Sequence, residues 1–366
     1  MIRPHTLIHL TSTLLLSSTL ALAQSAAPTN PLERDSDGLT IPELYQAALK
    51  EGGTLQVLAG GDELNQQDGT VQAFKAAFPG LNIKITVDLS KYHEGRIDQQ
   101  LASKNVYTDV AMLQTLHDFD RWKSEGALLP YKPVGWNHVA PKFKDPDGAY
   151  TGMLIFSFSN ISNVAATPAD QAPLDAIDYL DPKWKGKIVL VYPNDDDAVL
   201  YQFYKIIQKH GWTYMDRLLA QNVRWVRGSA TPIAPLLQEP GTVTFTAAFP
   251  LVPQPNLPLR FNVPRTDSFL SWAQTAAIFK DAKHPATAKL FLSFLLSKEF
   301  QAYAPFWPIR DDVPTPQGWK PLAEYNTDHS DFQAFMRDRA TVERFRLQIE
   351  RYIGPAQGPS PLIDGR

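Results

Sequence analysis

The sequence predicts an α/β protein built from two units with parallel sheets. Between residues 40 and 113, short apolar segments of strand length alternate with amphipathic segments of helical period. The same alternation returns between residues 184 and 249. Alternation at this spacing is typical of doubly wound α/β domains, and a chain of 366 residues is long enough for two of them. We therefore expect two doubly wound units.

The first unit begins with a capped helix. Thr40 is a suitable N-cap, Pro42 is tolerated in a first helical turn, and the pair Gly52 and Gly53 ends the segment. The pattern that follows predicts strands at residues 54–59, 82–87 and 109–113, with helices at residues 71–78 and 96–103.

The second unit follows a long β-rich run at residues 151–164. A helix is expected to begin at about Ala198 and to end at Gly211. Further strands are predicted at residues 189–191, 223–226 and 242–249, and residues 259–279 lead back to the first unit. A helix is predicted at residues 286–303.

The N-terminus has the pattern of a removable export signal. Arg3 and His5 precede an apolar run at residues 14–22, and Ala21 and Ala23 provide small residues before a cut at Gln24. The run is shorter than the about 20 residues that span a bilayer. We expect a signal peptide at residues 1–23, a flexible leader at residues 24–39, and a mature protein without membrane insertion, secreted or periplasmic.

Composition narrows the possible partners. The chain has no cysteine, so we expect neither disulfides nor the processed cysteine of a bacterial lipoprotein. Its net charge is −3, and its lysines and arginines are scattered rather than clustered. No nucleic acid is expected. The predicted partner is a small molecule.

Residues 264–303 carry a longer pattern. A strand runs into a turn at Asp281, and after His284 and Pro285 the chain reads ATAKLFLSFLLSKEFQAY. This order of residues resembles a segment of bacterial extracellular solute-binding proteins, in which a strand is followed by HP-x-x-A-x-x-F-x-x-F-L-L-S-x-E-x-Q. The run WKGK before Ile188 is similar to a second motif of the family. The resemblance covers roughly residues 40–303 and looks closest to the branch that binds iron(III), thiamine, polyamines or phosphonates.

The resemblance implies the type II periplasmic binding protein fold, with two lobes joined by crossover strands and a ligand cleft between them. Residues 151–164 would then be one crossover. The expected boundaries are a first lobe at 40–155, a second lobe at 156–262, a return to the first lobe with the C-terminal helices at 263–345, and a tail at 346–366.

The implied function is capture of a small polar or charged ligand by closure of the two lobes. The family suggests a monomer that supplies an ABC permease. A secreted binding protein of the same fold without a transporter is the alternative, favoured by the proline-rich residues 354–361 and the missing lipid-anchor cysteine. The sequence contains no G-x-S-x-G, no H-E-x-x-H and no phosphate loop, so an enzyme is not expected.

Polar residues follow two predicted strands of the first unit. Asp62 comes after the first strand, and Gln114 and Thr115 come after the third. Ligands of open α/β sheets bind beyond the carboxyl ends of strands, so these residues are candidate ligand contacts. Each loop could equally be a plain connection.

Asp195 and Asp196 stand with Asp197 just before a predicted helix. One aspartate is enough to cap a helix, and acids in a first turn also favour the helix dipole. At a cleft edge the same cluster would attract a cation or an amine. At least one of these aspartates is expected to face the cleft.

Ser229, Ala230 and Thr231 open another predicted helix after Arg227. Free N–H groups and hydroxyls at such an end could contact an anion, although a normally capped helix explains them as well. Asp267 lies on the segment that returns to the first lobe, where the resembled family often lines its cleft.

No metal or cofactor is expected. Relatives that bind ferric iron present two adjacent tyrosines, whereas Tyr201 and Tyr204 are separated by two residues. Isolated histidines such as His93 and His117 are more often structural. Asn160 lies in a glycosylation sequon near the predicted crossover, where a glycan would hinder closure.

Overall fold

The computed structural model describes residues 33–252, 254, 257–360 and 362. The predicted signal peptide and most of the predicted leader lie outside these residues. Within the described part of the chain, no helix is both long enough and apolar enough to cross a membrane.

The first half of the chain forms the predicted alternation. Helix α1 begins with a capping box in which Thr40 and Glu43 satisfy each other's backbone N–H groups. The elements up to residue 129 are α1 (Ile41–Glu51), β1 (Thr54–Gly60), α2 (Asp68–Ala77), β2 (Asn82–Asp88), α3 (Ser90–Ala102), β3 (Val110–Leu113), α4 (Leu116–Ser124) and β4 (Leu128–Leu129).

The second half begins with the longest strand and contains most of the remaining helices. Its elements are β5 (Thr151–Asn163), β6 (Val189–Val191), α5 (Asp197–His210), α6 (Thr213–Leu219), β7 (Arg224–Val226), α7 (Ile233–Gln238), β8 (Val243–Ala247), β9 (Leu259–Asn262), β10 (Leu270–Phe279), α8 (Pro285–Leu295), α9 (Lys298–Tyr303), α10 (His329–Arg337) and α11 (Arg339–Ile353).

Two long strands connect two sheet regions. Strands β1, β2 and β3 pair in parallel, and β10 joins β3 in the antiparallel sense. Strand β5 pairs with β10 through its first part and with β8 and β9 through its last part. Strands β6 and β7 are parallel, and Ile188 bridges to Val243 of β8. The fold is therefore α/β with two lobes joined by crossover strands, as predicted. We call the unit around β1–β3 the first lobe and the unit around β6–β8 the second lobe.

Apolar packing is divided among three cores. In the first core Phe74 stands edge-on to Phe291 and Phe294, which fixes α2 against α8. The second core surrounds α5 and α6, and a smaller third core includes Phe119 and Trp122 of α4. Burial of these side chains contributes about 25 cal/mol per Å² of apolar surface removed from water.

The C-terminal helices differ from the sequence prediction. Helices α10 and α11 belong to the core of the second lobe, where Phe332 and Phe335 pack on Tyr201. The predicted boundary at residue 345 falls inside α11, which continues to Ile353 because buried Phe345 and Ile349 follow at helical spacing. The prediction missed this pattern and assigned the helices to the first lobe.

The helix predicted at residues 286–303 is two helices. Helix α8 ends at Leu295, and Ser297 then accepts a hydrogen bond from the N–H of Phe300 as the N-cap of α9. Asn160 is buried, and its side-chain nitrogen donates to the carbonyl oxygen of Leu174. In the folded chain this amide has no room for a glycan.

Candidate functional site

Two neighbouring cavities lie between the lobes. The smaller one, about 90 Å³, is lined by the loops after β1 and β3, by the start of α5, and by the crossover strands. The larger one, about 290 Å³, is lined by the loop before α2, by the turn before α7, and by the segments after β8 and α9. Both include Asp62, Gln66, Phe156, Ser229 and Ala248. These shared residues form the junction of the two cavities.

The crossover strands provide a fixed floor for the smaller cavity. Gln274 of β10 donates to the carbonyl oxygens of Gly60 and Met112, and Trp272 donates to the side-chain oxygen of Gln274. Phe156 of β5 stacks on Trp272 with ring centroids 5.6 Å apart. Because each polar group of this floor is paired within the protein, the floor holds its shape without a ligand.

Asp196 combines a structural role with a position at the smaller cavity. As the N-cap of α5, its carboxylate accepts from the N–H groups of Ala198 at 2.7 Å and Val199 at 3.0 Å. Burial, together with the negative charges of Asp62 and Asp197, raises the pKa of Asp196 to about 7, although these hydrogen bonds act to lower it.

Asp62 connects the two lobes. It follows β1 in the first lobe, is only 7% exposed, and accepts a hydrogen bond from the N–H of Ser229 in the second lobe. Burial raises the pKa of Asp62, and burial together with the charge of Asp62 raises the pKa of the neighbouring Glu63. Three carboxyl groups therefore line the cavities in environments that disfavour their charge.

The three consecutive aspartates have three different functions. Asp195 pairs with Lys91 of α3 at 3.3 Å and with Arg227 at 2.8 Å, so it joins the first lobe to the second. Burial alone would raise the pKa of Asp195, but the hydrogen bond from Arg227 and the charge of Lys91 hold it below the usual range. Asp197 pairs with Arg346 of α11. Of the three, only Asp196 lines either of the two cavities between the lobes.

The turn before α7 does not have the form of an anion site. The N–H of Ser229 already donates to Asp62, and the hydroxyl of Thr231 donates to the carbonyl oxygen of Arg227. Helix α7 has only six residues, so its dipole is small. Ser229 lines both cavities and Ala230 lines the larger one, whereas Thr231 lines neither.

Of the remaining residues predicted to contact a ligand, one lines a cavity between the lobes and two do not. Gln114 lines the smaller cavity, and its backbone N–H donates to Ser90. Thr115 is buried and lines neither cavity. Asp267 is also away from the cavities: it is buried, accepts from the N–H of Ala176 and pairs with Lys209. Its role is to hold together parts of the second lobe.

Sequence reasoning missed the apolar wall of the larger cavity. This wall comes from β5, from the segment after β8 and from α9 with the residues that follow it, and it includes Leu154, Phe249, Phe300, Tyr303, Pro305 and Phe306. From the sequence alone, aromatic residues at such positions are indistinguishable from ordinary core residues. No local pattern distinguishes a side chain that faces a cavity from one that faces a core.

The two tyrosines discussed as iron ligands lie elsewhere. Tyr201 packs on Phe332 and Phe335, and Tyr204 packs on Phe345 of α11. Tyr201 also lines a separate surface cavity of about 260 Å³ beside α10. Neither phenol reaches the cavities between the lobes.

Comparison with known proteins identifies the family. The family model described as "Bacterial extracellular solute-binding protein" matches residues 107–305, more than half of the chain. The protein therefore belongs to the bacterial extracellular solute-binding family, and its two-lobed architecture is that of the type II periplasmic binding proteins. No curated protein sequence matches the chain.

Solved structures agree on the fold. Iron-bound HitA from Pseudomonas aeruginosa is similar in fold: it is 20% identical with a TM-score of 0.64, over 81% of this chain and 99% of HitA. AfuA from Actinobacillus pleuropneumoniae with bound fructose-6-phosphate is 19% identical with a TM-score of 0.66, over 83% and 100%. A substrate-binding protein of an ABC transporter from Agrobacterium tumefaciens is 12% identical with a TM-score of 0.69, over 82% and 94%.

Proposed function

We propose that this member of the family is an exported protein that captures one small solute between its lobes and passes it to an ABC permease. The observation that carries the proposal is the pair of cavities lined by side chains of both lobes, with Asp62 and Ser229 in contact across them. Ligand pockets of comparable proteins lie at such domain boundaries.

Closure of the lobes has a physical basis in two polar contacts. Lys91 donates to the carbonyl oxygen of Asp195 at 2.8 Å, and Ser229 donates to Asp62. Both contacts join the first lobe to the second. A solute that binds residues of both lobes lowers the free energy of this closed arrangement relative to the open one. Its binding would therefore favour closure.

The test begins with the protein purified in native form. Mass spectrometry of the small molecules released on denaturation identifies any solute that copurifies. Thermal unfolding in the presence of amines, carboxylates, sugar phosphates and metal ions then measures stabilisation, which follows the ratio of ligand concentration to dissociation constant. We expect one chemical class to raise the unfolding temperature by several degrees. Absence of a copurified solute together with no stabilisation by any class would contradict solute capture.

Transport and the alternative of an extracellular binder without a transporter are separable. The Agrobacterium tumefaciens relative is described as part of an ABC transporter, which supports transport for this chain. A permease and an ATPase encoded beside this gene, and loss of solute uptake when the gene is deleted, are the expected results. Unchanged uptake in the deletion strain would favour the alternative.

Catalysis is not part of the proposal. The family is one of binding proteins, and the proposed role requires that the solute leaves the cleft unchanged. Nuclear magnetic resonance spectra of the solute after long incubation with the protein are expected to show no product. Formation of a product at a rate proportional to protein concentration would overturn this part of the proposal.

A further inference from the structure

The charged side chains that line the two cavities all have the same sign. They are Asp62, Glu63 and Asp196, and among the described lining residues no lysine, arginine or histidine occurs. Lys91 and Arg227 are neighbours of lining residues in sequence, but both direct their nitrogen atoms to Asp195. The ionisable side chains that line the cavities are therefore all carboxyl groups, and no lining side chain compensates their negative charge when they ionise.

The walls of the larger cavity are mostly apolar. Phe249, Phe300 and Phe306 contribute rings, and Leu154 and Ile233 contribute aliphatic side chains. A bare metal ion would gain nothing from these surfaces, because hard cations are held by oxygen ligands. An organic body of a size suited to about 290 Å³ would bury apolar surface there, which favours binding.

We propose that the solute is an organic cation, an ammonium or related nitrogen cation carried on an apolar body. This inference rests on the proposed function. The charged group lies at the junction of the cavities, between Asp62 and the ring of Phe156, with Asp196 beyond it in the smaller cavity. The apolar body lies in the larger cavity against Phe249, Phe300 and Phe306.

The junction offers such a cation two kinds of stabilisation. A carboxylate provides a charge-assisted hydrogen bond, which is stronger than one between neutral groups. The face of an aromatic ring attracts a cation as well. Phe156 and Asp62 line both cavities, so both contributions act at the same place.

An anion would meet the opposite conditions. The backbone N–H of Ser229, in the turn before α7, already donates to Asp62. A phosphate or carboxylate would have to displace that carboxylate and remain beside Glu63 and Asp196, which repel it. The arrangement therefore discriminates against anionic solutes by repulsion.

The test compares probes of equal shape and different charge by calorimetric titration at pH 8. Phenethylammonium and a series of longer alkyl and aryl ammonium ions are titrated beside 2-phenylethanol, 3-phenylpropanoate, fructose-6-phosphate and ferric citrate. We expect one-to-one binding of at least one ammonium ion. The neutral and anionic probes of matching shape are expected to bind at least about tenfold more weakly, which corresponds to about 1.4 kcal/mol.

A matched pair of variants locates the effect. Asp196→Asn keeps an N-cap of similar quality but removes the charge, so we expect ammonium affinity to fall about tenfold without loss of fold. Asp338→Asn makes the same change at the N-cap of α11, away from the cavities, and is expected to leave affinity unchanged.

The outcomes are distinguishable. If an anionic probe or ferric citrate binds one-to-one and no ammonium ion does, the organic-cation inference is wrong and solute capture stands. If ammonium ions bind, and Asp196→Asn and Asp338→Asn have the same effect on their affinity, the assignment of the cation to these cavities is wrong. If no probe binds and no solute copurifies, the proposed function fails as well.

Discussion

At the scale of single residues, Asp196 shows how one side chain can stabilise a helix and at the same time prepare a site. Its carboxylate caps α5, which would be satisfied by any good N-cap residue. Capping does not require a raised pKa, but burial near Asp62 and Asp197 raises the pKa of Asp196. The charged form of Asp196 is therefore disfavoured unless a cation binds beside it. Capping and binding, which the sequence offers as alternatives, are compatible at this position.

The raised pKa of Asp196 makes stability depend on pH. The pKa is about 7 in the folded state and about 3.9 in an unfolded chain, so the folded state holds more protons between these values. The contribution of this group to the free energy of unfolding therefore falls as pH rises from 4 to 7. Asp196→Asn has no such group to ionise. We therefore expect the free energy of unfolding of the variant, measured relative to that of the wild type, to rise by at least ~1 kcal/mol from pH 4.5 to pH 7.5.

Urea unfolding of the ligand-free protein at the two pH values measures this difference. Asp338→Asn is the control: hydrogen bonds from Thr341 lower the pKa of Asp338, so its replacement gives no such gain. A relative stability of Asp196→Asn that is the same at both pH values would show that the carboxyl group is ionised throughout.

At the scale of elements, buried Arg310 joins the N-terminal segment to the end of α8. Its guanidinium pairs with Glu33 and Asp312 and donates to the carbonyl oxygen of Leu296, while Gly135 leaves the space that it needs. The hydrogen bond from Arg310 holds the pKa of Asp312 well below its usual range. This cluster fixes segments that lie far apart in the chain.

Arg310→Met is expected to lower the free energy of unfolding by about 3–5 kcal/mol, since it removes the buried cation that pairs with Glu33 and Asp312 and donates to Leu296. Arg224→Met is the matched control, because Arg224 makes a two-point contact with Glu239 that is exposed to solvent. That change is expected to cost about 0–1 kcal/mol. Urea unfolding compares the two variants, and similar costs would refute a structural role for the buried cluster.

Helix α11 provides a second comparison at this scale. Ile349 is fully buried in the second core, whereas Leu347 on the same helix is 63% exposed. Ile349→Ala is expected to cost about 2–5 kcal/mol. Leu347→Ala is expected to change stability by no more than about 0.5 kcal/mol. Equal effects in thermal or urea unfolding would mean that α11 is not part of that core.

At the scale of the whole molecule, much of the fold follows from local patterns. Alternating strand and helix periods predicted the lobes, and the pattern after Pro264 predicted the family. Asp62 and Ser229 were both recognised as candidates, but their contact joins residues 167 positions apart. No local sequence pattern indicates a contact between residues so far apart in the chain. Asp62 was therefore not recognised as the partner of the turn before α7.

Two further errors have the same physical origin. Asp267 was placed in the cleft because it lies on the returning segment, yet its carboxylate is used by Ala176 and Lys209. Phe249 and Phe306 were passed over, because a ring beside a cavity and a ring in a core have the same sequence context. Both distinctions depend on which elements pack together, and that is decided by the entire chain.

Hydrogen–deuterium exchange measured with and without the bound solute tests whether one solute binds between the lobes and contacts both. We expect slower exchange in two segments at once, residues 60–67 after β1 and residues 227–233 before α7, with little change beside Tyr201 at the surface cavity. Slower exchange in only one of the two segments, or only beside Tyr201, would contradict binding between the lobes.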